Sequence, residues 1–151
     1  ADKMYRITLG LVLYLTVSAN AAFQNCGSKI GSLNNVTVSN CDPDASICIL
    51  NRGKNVSIEI NFNLDKDIKR VSSVVHGIIA GATLPFPIAH PDACVASGLK
   101  CPMTKDGGPY KYKTNLAVET FFPKIKVDVK WELKDETATN IVCVLIPSQL
   151  K

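Results

Sequence analysis

The chain has 151 residues, of which 46% are hydrophobic and 20% are charged, and its formal net charge is +4 at pH 7. This length fits one domain with a substantial hydrophobic core. The positive charge is small and no basic cluster is interleaved with aromatic residues, so the sequence does not predict a nucleic-acid-binding protein. It shows no internal repeat, low-complexity tract or linker.

The N-terminal residues have the layout of an export signal. Arg6 precedes an apolar run at 7–17, and small residues follow before a cleavage point. We expect residues 4–21 to be a signal peptide, residues 1–3 to be a cloning remnant and residues 22–151 to form the mature domain. The apolar run is shorter than the roughly 20 residues that a membrane span needs. We therefore expect a protein that is secreted or that resides in the lumen of the endolysosomal pathway.

All the cysteines follow this run. They are Cys26, Cys41, Cys48, Cys94, Cys101 and Cys143. An even number of cysteines in an exported chain predicts three disulfides. Zinc binding is disfavoured because the two close pairs have the spacing C-x6-C instead of C-x2-C. Several pairings are open, and the simplest joins each close pair internally and leaves Cys26 for Cys143.

Two motifs predict N-linked glycosylation. Asn35 and Asn55 each begin an Asn-x-Ser/Thr sequon. Such sequons are consistent with an exported protein, because the modification belongs to the secretory pathway.

The dominant hydrophobic period is two residues, which is typical of β-strands with one buried face. In 55–63 and 124–134 every second residue is apolar, whereas 70–79 is apolar on both faces. The predicted strands, in chain order, are 28–33, 36–39, 55–63, 70–79, 110–122, 124–134 and 141–146. About seven strands separated by Asn, Gly, Pro and Asp predict an all-β fold, an antiparallel β-sandwich.

Residues 77–88, GIIAGATLPFPI, stand out because they carry no charge and contain two glycines and two prolines. Proline interrupts helices and is excluded from central strands, so neither structure is expected here. The common explanation is an apolar strand that ends in a proline-rich turn against the core. The alternative is the rim of a binding cavity, because exposed apolar patches often mark binding sites.

The sequence carries no recognisable catalytic constellation. His76 lies in an apolar strand and His90 lies in a proline-flanked turn, and no nucleophile elbow or glycine-rich phosphate loop is found. Acidic residues such as Glu59, Asp128 and Glu132 are expected on solvated strand faces. We therefore expect no enzyme activity, no catalytic residue, no bound metal and no cofactor.

Several motifs resemble the ML (lipid-recognition) domain family, which includes the Niemann-Pick type C2 proteins. They are FQNCGS at 23–28, VVHGIIAGATLPFPIAHPDAC at 74–94, GLKCPMTKDG at 98–107 and FFPKIKVDVKWELKDE at 121–136. The resemblance covers nearly the whole mature chain and keeps the six cysteines in order. The chain resembles an arthropod-like member of this family.

The resemblance implies an immunoglobulin-like sandwich with a lipid cavity between its sheets and a mouth formed by the LPFPI turn. It also implies the disulfides Cys26–Cys143, Cys41–Cys48 and Cys94–Cys101. The residues that it predicts to contact the ligand are Leu84, Pro85, Phe86, Tyr112, Leu116, Val118, Phe122, Ile125, Val129, Trp131 and Val144.

The function that the resemblance implies is carriage of long-chain fatty acids and related semiochemicals, or of sterols. Val144, Ala80 and Ala82 stand where the sterol-specialised vertebrate pattern has larger residues, so we expect linear lipids to bind at least as tightly as cholesterol. The implied partners are a hydrophobic small molecule and, at hand-over, a membrane or a receptor. We expect a monomer.

Two alternatives are a dedicated sterol transporter and an innate-immune module that binds bacterial lipids. The second would need a basic rim to hold phosphates. Lysines near the expected rim are few, namely Lys100, Lys105 and Lys113.

Overall fold

The computed structural model describes residues 23–151. The predicted cloning remnant at 1–3 and the predicted signal peptide at 4–21 lie outside the described residues. Between Phe23 and Lys151, no helix is both long enough and apolar enough to cross a membrane. Helical structure in this part of the chain consists of α1 (Ala93–Ala96) and a 3-10 turn (Lys105–Gly107).

Two β-sheets pack face to face around one core. The larger sheet contains β1 (Gln24–Asn25), β3 (Cys48–Leu50), β5 (Ser72–Ile79), β6 (Ala82–Phe86), β8 (Lys126–Lys134) and β9 (Asn140–Leu150). The smaller sheet contains β2 (Gly31–Val38), β4 (Lys54–Leu64) and β7 (Tyr110–Val118).

The strand order is β1-β9-β8-β5-β6 in the larger sheet and β2-β4-β7 in the smaller one. The pairing of β3 with β9 is parallel, and the other strand pairings are antiparallel. The predicted all-β sandwich is confirmed, with nine strands in the described residues where about seven were expected.

The alternating pattern decides which face of each strand is buried. In β4, Val56, Ile58 and Ile60 are buried while the residues between them are only partly covered. In β8, Val129 and Trp131 point inward in the same way. Burying one such aliphatic side chain contributes about 1.5–3 kcal/mol, so a one-residue slip of register would be costly.

Some strand limits differ from those predicted. The pieces expected at 28–33 and 36–39 form the single strand β2, which has a bulge between Leu33 and Asn35. The strand expected at 110–122 ends at Val118, because the chain then turns and the Phe122 N–H donates to the Glu119 carbonyl. The last strand continues to the end of the sandwich at Leu150.

The segment at 77–88 contains a hairpin and a strand where a proline-rich turn was expected. Ala80 and Gly81 have φ angles of 49° and 82°, the left-handed geometry of tight hairpin turns. The following strand, β6, includes Pro85. Proline is tolerated there because β6 is an edge strand of its sheet. On the free side of an edge strand no neighbouring strand accepts hydrogen bonds, so a residue without an N–H can be accommodated.

Three disulfides hold the sandwich together. Cys26–Cys143 joins residues 117 positions apart and fastens β1 to β9. Cys41–Cys48 and Cys94–Cys101 each join residues seven positions apart. The pairing is the one that the resemblance implies.

Candidate functional site

A cavity of about 210 Å³ opens between the two sheets at one end of the sandwich. Its wall is formed by Leu50, Val75, His76, Gly77, Ile79, Leu84, Pro85, Phe86, Leu116, Ala117, Val118, Phe122, Pro123, Ile125, Val127, Val129 and Leu150. His76 is the one ionisable residue among them. The wall is therefore suited to an apolar ligand, because small-molecule pockets are lined mainly by hydrophobic and aromatic side chains.

The strand periodicity brings these side chains together. Val75, Gly77 and Ile79 alternate along β5, and their neighbours Val127 and Val129 alternate along β8. Gly77 adds no side chain to this part of the wall. A Cβ at this position would lie 3.2 Å from Cγ2 of Val127, which is a tight contact. A larger residue at that position would therefore press on the cavity wall.

Aromatic rings stand at the mouth. Phe86 of β6 and Phe122, in the turn after β7, meet edge to face with ring centroids 5.6 Å apart. Phe121 packs against Phe122 at 5.0 Å and is itself 79% exposed. Leu84, on the same edge strand as Phe86, is 50% exposed. The mouth thus presents apolar groups directly to solvent.

Arg52 holds the turn that carries Phe122. Its Nη1 donates to the carbonyls of Thr120 and Phe122 at 3.0 and 2.9 Å. Its own backbone N–H donates to the carbonyl of Lys151, next to the last strand. Sequence reasoning missed this residue because an isolated arginine in a turn has no periodic signal.

The chain matches the ML domain family over residues 20–150. It belongs to that family. A Drosophila melanogaster protein named NPC intracellular cholesterol transporter 2 homolog a is 46% identical to this ML domain protein over 138 residues, covering 91% of this chain and 93% of that one. The Ecdysteroid-regulated 16 kDa protein of Manduca sexta is 44% identical over 140 residues, covering 92% and 95%.

A solved structure has the same fold as this ML domain. The Niemann-Pick type C2 protein from the Japanese carpenter ant superposes with a TM-score of 0.81 at 31% sequence identity, covering 85% of this chain and 98% of that one. The resemblance read from the sequence motifs is therefore confirmed.

Most of the predicted contact residues line the cavity of this ML domain. They are Leu84, Pro85, Phe86, Leu116, Val118, Phe122, Ile125 and Val129. The structure does not bring the other three to the wall: Tyr112, Trp131 and Val144 lie in the packed core, at most 1% exposed. They share the inward face with the wall residues but lie deeper between the sheets.

That deeper region contains a polar contact. The Ser73 hydroxyl donates to Oη of Tyr112 at 2.8 Å, and the Tyr112 ring lies 6.1 Å from the ring of Trp131. Burial raises the pKa of Tyr112, and its hydrogen bond with Ser73 offsets part of that rise. Tyr112 is therefore a neutral, fixed part of the core.

Several wall residues were not predicted. Val127 had a signal, because it shares the alternation of Val129 and Ile125. Leu50 and Leu150 had none, since β3 has only three residues and pairs with β9 in parallel, with Leu50 opposite Leu150. Their contribution depends on a long-range register that no local pattern reports.

The small residues on which the expected preference for linear lipids was based do not form the cavity wall. Val144 is core, and Ala80 and Ala82 are exposed at the hairpin between β5 and β6. The lysines expected near the rim do not line the cavity either. Lys100 follows α1, Lys105 is in the 3-10 turn, and Lys113 points outward from β7.

Glu132 is not on a solvated face as expected; it is 5% exposed. It lies opposite Cys143 on β9, with Nζ of Lys134 at 3.4 Å and Nδ1 of His76 at 3.9 Å. Burial alone would raise the pKa of Glu132, but the hydrogen bond with Asn140 and the charge of Lys134 bring it below its usual range. In the described residues, no three His, Cys, Asp or Glu side chains are grouped so that they could hold a metal ion.

Proposed function

We propose that this ML domain protein is a carrier that binds one hydrophobic lipid molecule in the cavity and releases it unchanged. The observation that carries the proposal is the apolar wall between the sheets, in which His76 is the one ionisable residue. Each CH₂ group moved from water to such a wall contributes about 0.8 kcal/mol. The loss of ligand motion opposes part of this gain, so binding stays reversible.

Export fits this role, and we propose that the protein acts outside the cytosol, in the extracellular space or in an endolysosomal lumen. Its three disulfides favour an oxidising compartment, because cytosolic thiols are kept reduced. The apolar run at 7–17 would supply the export signal.

Two cargo classes compete for the cavity. The name of the Drosophila relative, a cholesterol transporter homologue, favours a sterol. The cavity itself favours a slender chain, because its volume of about 210 Å³ is below the roughly 300–1,000 Å³ of typical ligand pockets. A rigid sterol would have to move the sheets further apart than a flexible acyl chain. We propose that linear lipids such as oleate bind at least as tightly as cholesterol.

Native mass spectrometry of the protein purified from its source, followed by lipid extraction, tests the carrier function. The expected result is one lipid molecule per chain. A chain that emerges without lipid and takes up neither oleate nor cholesterol from solution would overturn the proposal.

Competition against one fluorescent fatty acid separates the two cargo classes. If cholesterol displaces the probe at concentrations tenfold or more below those of oleate, a difference of about 1.4 kcal/mol, the protein is a sterol carrier.

A further inference from the structure

A second depression, here called the side groove, lies on the side of the sandwich where β6 and β7 are the edges of the two sheets. It is bounded by the residues that follow β6, by the end of α1 and by the middle of β7. Its volume is about 580 Å³, within the roughly 300–1,000 Å³ of ligand pockets. In contrast to the cavity, its lining is largely polar and includes Ala89, His90, Ser97, Lys113, Thr114 and Asn115.

The side groove offers hydrogen-bond donors and a positive charge, and none of the described residues that line it is acidic. Glu59 lies opposite Lys113 in the sheet, but it is Nζ of Lys111 that lies 3.6 Å from its carboxylate. Within residues 23–151, Lys113 forms no ion pair. Asp92, two positions after His90, accepts a backbone N–H of α1 at 2.9 Å. The side groove is therefore suited to a negatively charged group.

Backbone contacts hold the end of α1 against β7 and fix the shape of the side groove. The N–H of Lys113 donates to the carbonyl of Ser97 at 3.0 Å, and the Ser97 hydroxyl donates to the carbonyl of Ala93. Lys113 thus directs its N–H away from β4. In an antiparallel ladder every second residue does so, and the next one along β7 is Asn115. The N–H of Asn115 is therefore directed toward the side groove as a further donor.

The side groove begins where the cavity reaches the surface. Ala117 lines the cavity and is also exposed, so the cavity opens at this edge of β7. Asn115 is two positions further along the strand, at about 7 Å given a rise of about 3.4 Å per residue. On the opposite edge, Phe86 lines the cavity and Ala89 lines the side groove. One molecule with an apolar tail and a polar head can therefore occupy both.

We propose that the side groove binds the carboxylate of a fatty acid whose tail occupies the cavity, with Lys113, Thr114 and Asn115 as its contacts. An ionised carboxylate has two acceptor oxygens and can accept from an ammonium, a hydroxyl and an amide N–H together. Burial of the tail supplies most of the affinity, and the side groove supplies a preference for fatty acids over uncharged lipids with the same tail. This proposal rests on the proposed carrier function and adds the class of head group.

Displacement of a neutral fluorescent probe by oleate and by oleyl alcohol, which has the same tail and no charge, tests the proposal. The wild type should prefer oleate, and Lys113→Met should reduce this preference about three- to fivefold, the upper range for an exposed ion pair. The fold should persist because Lys113 is exposed. Lys100→Met is the matched control, since Lys100 is an exposed lysine after α1 that lines neither the cavity nor the side groove. An unchanged preference in Lys113→Met, or an equal loss in Lys100→Met, overturns the proposal.

The position of the head group can be measured independently. Nuclear Overhauser contacts are expected between the C2 protons of bound oleate and the methyl group of Thr114. Contacts of these protons with Leu84 and Phe121 instead would place the carboxylate at the aromatic mouth and overturn the proposal. The displacement assay also separates this proposal from the carrier function. If neither ligand displaces the probe from the wild type, the carrier function fails; if both do so with equal Kd, the head-group proposal alone fails.

Discussion

The rings of Phe86 and Phe122 meet edge to face at the cavity mouth, with their centroids 5.6 Å apart. Phe86 belongs to the edge strand of the larger sheet, and Phe122 belongs to the turn that follows the last strand of the smaller sheet. Such a contact contributes only about 0.5–1.5 kcal/mol beyond area burial. A ligand can therefore separate the rings at modest cost.

Replacing Phe86 by aspartate should lower the affinity for a fluorescent fatty acid at least tenfold. The carboxylate would have to lose water whenever a lipid passes the mouth, which is costly for an unpaired charge. The fold should survive, because Phe86 is only partly buried. The control is Val95→Asp, at a position in α1 that is 79% exposed. If Phe86→Asp binds the fatty acid with wild-type affinity and its circular dichroism spectrum is unchanged, Phe86 does not contribute to the binding site.

Arg52→Met should increase the rate of lipid release several-fold. The variant loses the two hydrogen bonds to the carbonyls of Thr120 and Phe122, and each such bond from a charged donor contributes about 1.5–3 kcal/mol. The turn that carries Phe122 is then less restrained. Stopped-flow measurement of fluorescent fatty acid release checks this, with Arg70→Met, at an exposed position away from the mouth, as control. Equal release rates from the two variants would show that Arg52 does not restrain the mouth.

Acid should destabilise the protein partly through Asp135. Its Oδ1 accepts the N–H groups of Thr137 and Thr139 at 2.9 and 3.0 Å. Burial alone would raise the pKa of Asp135, but the hydrogen bonds from Thr137 and Thr139 bring it below its usual value of 3.8. The unfolded chain therefore binds the proton more readily than the folded one. This contribution to stability is present above the unfolded pKa and is lost as the pH falls through the folded pKa.

Asp135→Asn should consequently be less stable at neutral pH by about 1–3 kcal/mol and should lose less stability on acidification than the wild type. Urea unfolding at a series of pH values measures both effects. If the two curves of unfolding free energy against pH run parallel, Asp135 makes no contribution to acid sensitivity.

Removal of Cys26–Cys143 should destabilise the fold more than removal of either short disulfide. Its cysteines are 117 positions apart, against seven for each of the others. In the chain-entropy account this corresponds to about 5 kcal/mol against about 2.5 kcal/mol. Paired Cys→Ser variants compared by thermal unfolding provide the measurement. Equal losses for all three pairs would contradict the entropic explanation.

Alternation alone was enough to predict β4 and β8, because each has one apolar face and one polar face over many residues. It was not enough for β3 and β6. β3 has three residues and depends on a partner strand about a hundred positions away. β6 contains Pro85, which indicates a turn unless its place at the sheet edge is known.

The same limit applies to the cavity. Periodicity and the resemblance identify which side chains face inward, and Val118 and Val129 accordingly line the wall. They do not show how deep each side chain lies between the sheets. For this reason Tyr112, Trp131 and Val144 were predicted to contact the ligand, although they are core residues. Depth depends on how far apart the two sheets stand at each level, and that follows from the packing of the whole sandwich.

Photolabelling tests the central claim, that lipid binds between the sheets, most directly. A fatty acid with a diazirine in the middle of its chain is irradiated with an equimolar amount of protein, and the labelled peptides are mapped. We predict labels at wall residues such as Ile79, Val118 and Leu150, and their loss in the presence of excess oleate. Labels on outward residues such as Lys113, unaffected by competitor, would contradict the assignment of the cavity as the binding site.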